Sequence, residues 1–240
     1  MIVGYDSFSP GTFLDAFQFM ADNPGLMWDK TLEHLEISAK ALAIAIALGL
    51  PLGAWLGHLH RGSFLAINGS NILRALPSLA VIAIGLGFFG VDQTNVIFAL
   101  VVLGFPVILT NTYVAVDGVD PDAVEAARGM GMRRRQILTK VELPLALPLT
   151  FAGIRTAAVF IVATATLGGI VGGGGLGDII VNQSSYFLRG VIAGAIAVTA
   201  LAFAADFALW GVQRAVTPAP LRRREVHESE LGRVVPVAEQ

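Results

Sequence analysis

The chain has 240 residues, 55% hydrophobic and only 14% charged, with a mean hydropathy of +0.70. Soluble domains carry about 25% charged residues to keep their surface wet, so most of this exterior faces something other than water, and lipid is the surface that fits. Sixteen basic against eighteen acidic side chains exclude a general polyanion binder, and the absence of cysteine excludes disulfide scaffolds, thiolate metal sites and cysteine nucleophiles. Four scattered histidines leave little for a metal site, and neither metal nor cofactor is expected.

From the N-terminus, residues 1–33 hold five acids and one base, Lys30. They show neither the basic region nor the short apolar run of a cleavable signal, so an extracytoplasmic tail is expected. Phe13, Phe17 and Met20 fall on one helical face, which predicts a short interfacial helix. A spanning helix needs about 20 mostly apolar residues, and five stretches inside a membrane domain of residues 34–212 qualify. The first, residues 37–57, is interrupted only by Lys40, which is spaced to pair with Glu36 one helical turn earlier. The second, 75–91, is weaker because Arg74 precedes it and Pro77 sits near its start. The third, 95–116, carries no charge. The fourth, 148–170, has Arg155 near its beginning, and the fifth, 190–212, has Asp206 near its end. Both charges are expected toward the cytoplasmic ends of their spans, where they can pair. Intramembrane charges mark function by default, with interfacial anchoring as the plainer alternative. Trp28, Trp55 and Trp210 fall near span ends, as interfacial tryptophans do.

Lysine and arginine in short loops set orientation. Arg61 and Arg74 follow the first span, beside His58 and His60, whose i,i+2 spacing faces them apart rather than toward one ligand. The turn Val91-Asp92-Gln93-Thr94 has no base. Arg128, Arg133, Arg134, Arg135 and Lys140 follow the third span, Arg189 alone follows the fourth, and Arg214, Arg222, Arg223, Arg224 and Arg233 occupy the C-terminal segment. The alternation predicts an N-terminus outside and a C-terminus in the cytoplasm. Residues 213–240 form a cytoplasmic tail, expected to be poorly ordered from Pro218 onward.

The loop between the third and fourth spans, residues 117–147, is the most informative. Asp120 followed by Pro121 reads as a helix start, a carboxylate cap and then a proline where no N–H is missed. Asp122 adds charge at the positive end of the helix dipole. Ala123, Ala126 and Ala127 predict a small-residue face that another protein can approach, and Gly129 and Gly131 end the helix. Glu125-Ala126-Ala127, three residues, Gly131, nine residues, then Val141-Glu142-Leu143-Pro144 resembles the Glu-Ala-Ala motif of ABC-transporter permease subunits. Val141 stands where that family usually has isoleucine.

The resemblance implies an all-α membrane protein, a MetI-like permease core of about five transmembrane helices with a cytoplasmic coupling helix. Asp120, Pro121, Glu125, Ala126, Ala127, Gly129, Gly131, Val141, Leu143 and Pro144 would then carry coupling to a separate ATPase. Stretches such as Leu76-Pro77-Ser78-Leu79-Ala80 and Gly173-Gly174-Gly175-Leu176-Gly177-Asp178 look like the osmoprotectant branch, which imports glycine betaine, choline, carnitine or proline betaine. The implied partners are two ATPase subunits, a second permease chain, identical or similar, an extracytoplasmic binding protein and the bilayer, in the plasma (inner) membrane of a prokaryote. No nucleic acid and no catalytic residue are implied. A permease for another small solute, such as an amino acid, and a self-contained secondary carrier are the competing readings; carriers usually show internal repeats and midplane charges, and neither is evident.

Residues 172–177 satisfy G-x-G-x-x-G but follow a membrane span rather than a strand, which argues against a dinucleotide site. Without a Gly-Lys-Ser/Thr P-loop the chain is not expected to hydrolyse ATP. Gly173, Gly174, Gly175 and Gly177 read as irregular backbone at the outer end of a pathway, tolerated where protein or water covers it, with Arg155 and Asp206 as further pathway or gate residues.

Overall fold

The computed structural model describes residues 11–60 and 62–217. The first ten residues, Arg61 and the tail from 218 onward, whose disorder the composition suggests, lie outside the described residues. Among the described residues the chain is helical, with no strand. Helix α1 is Gly11–Asp22 and α2 is Pro24–His58. A π-helical stretch, Phe64–Gly69, leads into α3, Ser70–Arg74, and α4 is Ser78–Phe89. Helix α5 is Gln93–Asp117 and α6 is Pro121–Gly129. Helix α7, Arg134–Ile137, runs through a π-helical stretch, Leu138–Glu142, into α8, Leu143–Ala165. A 3-10 stretch, Thr166–Val171, then α9, Leu176–Val181, and α10, Gln183–Val216, complete the chain.

Four stretches are long and apolar enough to cross a bilayer: Pro24–His58, Gln93–Asp117, Arg134–Val171 and Gln183–Val216. The second expected span is broken. Ala66–Arg74 and Ser78–Phe89 meet at 87° and make a fifth crossing only if taken together. Pro77 explains the break, since it lacks an N–H and its ring drives Leu76 out of the helical region. Helix α10 is likewise interrupted at Phe187, whose φ of 57° and ψ of 179° are not helical. Asp92 caps α5 by accepting bonds from the Thr94 N–H at 3.2 Å and the Thr94 hydroxyl at 2.6 Å. The Thr94 hydroxyl is the main reason its carboxyl is held below the usual range. The cap is therefore complete above the ordinary aspartate pKa and is lost as pH falls through the lowered one.

The long helices stack in three layers. At the α6 end Ala54, Val116 and Ala146 meet residues of α6; in the middle Ala45, Val107, Ile108, Ile154 and Ala157 meet; at the opposite end Ile37, Val96, Leu100 and Ile161 meet. The order of these numbers shows that α2 and α5 run the same way and α8 runs against them. Close approach of α2 to α5 rests on Gly49, Gly53 and Gly57, one turn apart on a single face. A Cβ on Gly53 would lie 2.7 Å from the Leu109 carbonyl oxygen and one on Gly57 would lie 2.8 Å from Val116 Cβ. Such small-residue seams are how helices associate in lipid, where burial from water supplies no drive. At the start of the chain the packed face of α1 is Ala16 and Phe19, with Met20 beside them, against α10. Phe13 and Phe17 of the expected face stay exposed, because the helix turns Phe19 edge-on to Tyr186 at 6.3 Å.

Gly53→Val should lower the stability of the detergent-purified chain by about 1–3 kcal/mol through overpacking. Gly87→Ala in α4, where an added Cβ meets nothing within 4 Å, should be neutral or slightly stabilising. Thermal unfolding of the two variants side by side checks both signs.

Candidate functional site: the coupling end and the α8 face

Helix α6 forms as its sequence dictates. Asp120 accepts a bond from the Asp122 N–H at 3.0 Å, and Pro121 occupies the first turn. After Gly129 the Met132 N–H donates back to the Ala127 carbonyl at 3.2 Å, while Gly131 takes φ +79° with open space around its missing Cβ. The motif glycine is therefore required by backbone conformation rather than by crowding. The small-residue face divides in two. Ala127 is 1% exposed and packs with Val124 on Ala54, Val116, Val119, Ile137 and Ala146 of its own chain, so its size serves internal packing. Asp122, Glu125, Ala126, Gly129 and Met130 form the outward face. Val141 and Leu143 pack against the same internal cluster, and Pro144 sits in the first turn of α8.

Two histidine–carboxylate hydrogen bonds that the spacing did not reveal tie this end together. His58 Nδ1–H, at the end of α2, donates to Glu142 Oε2 at 2.6 Å, and the Glu142 side chain is 2% exposed. His60 donates to Asp117 at 2.8 Å, joining the end of α5. The two histidines thus serve different partners, as their i,i+2 spacing suggests. With Arg128 and Arg134 they line a cavity of about 300 Å³ beside α6.

The outward side of α8 holds the intramembrane charges. Arg155 grips Asp206 of α10 with Nε and Nη2, each 2.8 Å from a carboxylate oxygen, and its Nη1 reaches Gln213 Oε1 at 3.3 Å. Pairing is as expected, but the depth is not. Neighbours Ile154 and Ala157 belong to the middle layer with Ala45 and Val107, so the pair lies near the centre of the bundle. Sequence reasoning placed it nearer the end because α8 was taken to start at Pro148, whereas the helix starts at Leu143 and continues from α7. The pair lines a groove of about 890 Å³ between α8 and α10 with Phe160 and Phe203. On the other flank of α8, Thr156 and Phe160 face a cavity of about 510 Å³ closed by Arg74, Leu76, Ser78, Leu103, Val107 and Asn111.

At the opposite end the glycine run is covered by protein. Gly173, Gly174, Gly175 and Gly177 are all buried, and Gly172, Gly174 and Gly175 take positive φ. Gly177 lies directly on the Thr166 carbonyl, which no larger residue permits. Glu33 of α2 accepts the Gly175 N–H. Lys30 bridges Glu33 at 2.9 Å and Asp178 at 2.6 Å. His34, fully buried, donates from Nε2 to the Val162 carbonyl at 2.9 Å. Lys30, Glu33, His34 and Asp178 were not read as a cluster in the sequence because the contacts that join the two segments span 128 positions for His34 and Val162 and 148 for Lys30 and Asp178.

A short α6 with one bare face, anchored on a bundle of broken and unbroken apolar helices, matches a known architecture. Residues 45–218 match the family model described as binding-protein-dependent transport system inner membrane component. The chain belongs to that family. This permease is similar to the choline transport system permease protein OpuBB of Bacillus subtilis (strain 168), 38% identical over 86% of this chain and 95% of the relative. It is equally close, at 38% over 85% and 94%, to the glycine betaine/carnitine/choline transport system permease protein OpuCB of the same organism. Among solved structures it resembles a chain of the inward-facing MetNI methionine ABC transporter, with a TM-score of 0.71 and 26% identity over 80% of this chain and 97% of that one. The permease is thus a multi-pass inner-membrane subunit of a binding-protein-dependent ABC importer, a class that works with ATPase and binding-protein partners.

Arg155→Gln and Asp206→Asn should each destabilise the permease more than the double substitution does, with a coupling of about 0.5–3 kcal/mol. Additive losses in a denaturation cycle would show that the two side chains act separately.

Proposed function

We infer that this permease carries quaternary-ammonium osmoprotectants, of the glycine betaine, choline, carnitine or proline betaine class, driven by ATP hydrolysis on partner subunits. The substrate class is supported by the relatives above, named for choline, carnitine and glycine betaine. The mode of action is supported by one observation: α6 is clamped to its own bundle on one side through Val124 and Ala127 and bare on the other. A rod held in this way transmits a push without deforming. An ATPase groove that takes the bare face (Glu125, Ala126, Gly129) can tilt α5 and α8 as it closes, which gives the two-state motion that alternating access needs. Selection of cargo then falls mainly to the separate binding protein. The permease acts with two ATPase subunits and a second permease chain, and α6 and the termini beyond α10 lie in the cytoplasm. The buried glycine run, latched by Lys30, Glu33 and Asp178, forms the extracytoplasmic end of the pathway.

Two experiments test this reading. Vesicles reconstituted with permease, ATPase and binding protein should accumulate labelled glycine betaine or choline on ATP; accumulation of an amino acid instead would overturn the substrate class. In that system Ala126→Arg should leave the thermal midpoint unchanged and abolish ATPase association and uptake, while Ala127→Arg should destabilise the permease itself. Full uptake by Ala126→Arg would reduce α6 to a connector. In a separate labelling experiment, Gln93→Cys should react from outside intact cells and Thr217→Cys only after permeabilisation; the reverse pattern overturns the orientation.

A further inference from the structure

Polar and apolar residues are divided unequally over the faces of this bundle. Between Ala41 and Gly57 the outward residues of α2 are Ala43, Ile44, Ala47, Leu48, Pro51, Leu52 and Trp55, all apolar, as a lipid contact demands, while exposed Lys40, one turn before Ile44, pairs with Glu36. The α4–α5–α8 side instead presents Arg74, Asn111 and Thr156 around the cavity of about 510 Å³. Thr156 proves little, since its hydroxyl donates to the Ala152 carbonyl of its own helix at 2.9 Å. Arg74 is different. It ends α3 where the second span breaks, and its Nη2 lies 3.5 Å from the Pro106 carbonyl. That distance is beyond a strong N–H···O bond, and among the described residues this guanidinium makes no other hydrogen bond. Pro106 lies beside Val107 of the middle layer, so the cation sits near half-depth. Irregular backbone and a charge at this depth are tolerated where they line a wet cavity rather than lipid.

We propose that this cavity is a transient station for zwitterionic cargo, in which the Arg74 guanidinium takes the solute carboxylate and the Phe160 ring faces its quaternary ammonium. The proposal rests on the substrate class inferred above. Arg74 fits the carboxylate because its fork of donors is nearly free, and a two-bond grip on a carboxylate is what that fork is shaped for. Arg155 is the poorer choice, as Asp206 already occupies both arms of its fork at 2.8 Å. A quaternary ammonium offers no N–H, so an aromatic face is its natural contact, and Phe160 is the one ring that lines the cavity. Asn111, whose Nδ2 donates to the Val107 carbonyl at 2.8 Å, lines the same cavity. The site is weak by construction, with one cation and one ring, which suits a solute that must leave again.

The test compares two solutes in the full reconstituted complex, holding the binding protein constant so that its selectivity cancels. Glycine betaine carries the carboxylate and choline lacks it. Arg74→Gln should lower glycine betaine uptake by about tenfold or more, the worth of a lost charge-assisted bond, while choline uptake changes far less. Arg74→Lys, which keeps the charge and loses the fork, should recover part of the glycine betaine rate. Phe160→Leu should lower both solutes together. Equal losses for the two solutes in Arg74→Gln would mean that the arginine only holds α3 on α5, and no loss would remove it from the pathway; either result overturns the station. A wild-type complex that moves choline alone removes the zwitterionic cargo and with it this site, leaving the substrate class standing. One that moves neither solute overturns the substrate class as well.

Discussion

Helices in a bilayer gain nothing by leaving water, so the whole permease depends on how closely α2 can lie on α5. Gly49, Gly53 and Gly57 leave the α2 backbone bare against Ile108, Thr112 and Val116 of α5, and Gly104 and Gly153 do the same where α8 meets α5 through Ile161 and Asn111. Dispersion at this close range then replaces the hydrophobic drive. Because α2, α5 and α8 are fixed to one another, the internal prolines Pro51, Pro106 and Pro148 are harmless: neighbouring helices hold the backbone that each proline weakens.

The same medium explains where polar groups are found. A carboxylate in a low-dielectric interior must be paired, and Glu142, Asp206 and Asp178 each meet a basic partner within 3 Å, at 2.6, 2.8 and 2.6 Å. Irregular backbone obeys the same rule. The glycine run is buried under α2 rather than turned to lipid, and the break after Arg74 opens on a cavity. Polar placement therefore separates the apolar outer face of α2 from the side of α3, α5 and α8 that holds Arg74 and its cavity.

Much of this was legible in the sequence because it is local. Apolar run length gave the crossings, Asp120-Pro121 gave the start of α6, Gly131 gave its end, and the Lys40–Glu36 bond of 2.6 Å follows from i,i+4 spacing. Arg155 and Asp206 were expected to meet because both were placed toward the cytoplasmic ends of their spans; they do meet, though nearer the middle of the bundle. What was missed is non-local or depends on rotation about a helix axis. No spacing rule joins His58 to Glu142, which occupies the variable position of the motif, or Lys30 to Asp178. The inward turn of Ala127 was missed because the alanines were read together as one surface, although Val124, three residues earlier on the same face, marks the side that packs. The second span was read from Ala75 onward with Pro77 near its start, and the helix before the proline, Ala66–Arg74, went unread because Arg74 cuts its apolar run.

Irregular backbone is also distributed along the bundle in a way that matters for moving it. At the α6 end the helices are tied: α2 through His58 to Glu142, α5 through His60 to Asp117, and α6 through Ala127 into the shared core. Farther from α6 lie the break at Ala75–Pro77, the 3-10 stretch Thr166–Val171 and the interruption at Phe187. Continuous hydrogen-bonded helix carries displacement as a rigid body, and bending concentrates where its ladder is missing. In the coupling proposed above, a push delivered at α6 would pass through α2, α5 and α8 to the elements that can give, at the cavity beside Arg74 and around the glycine run. Rigid packing at one end and broken helices at the other would then be two halves of one device, and a glycine seam loose enough to slip would disconnect them.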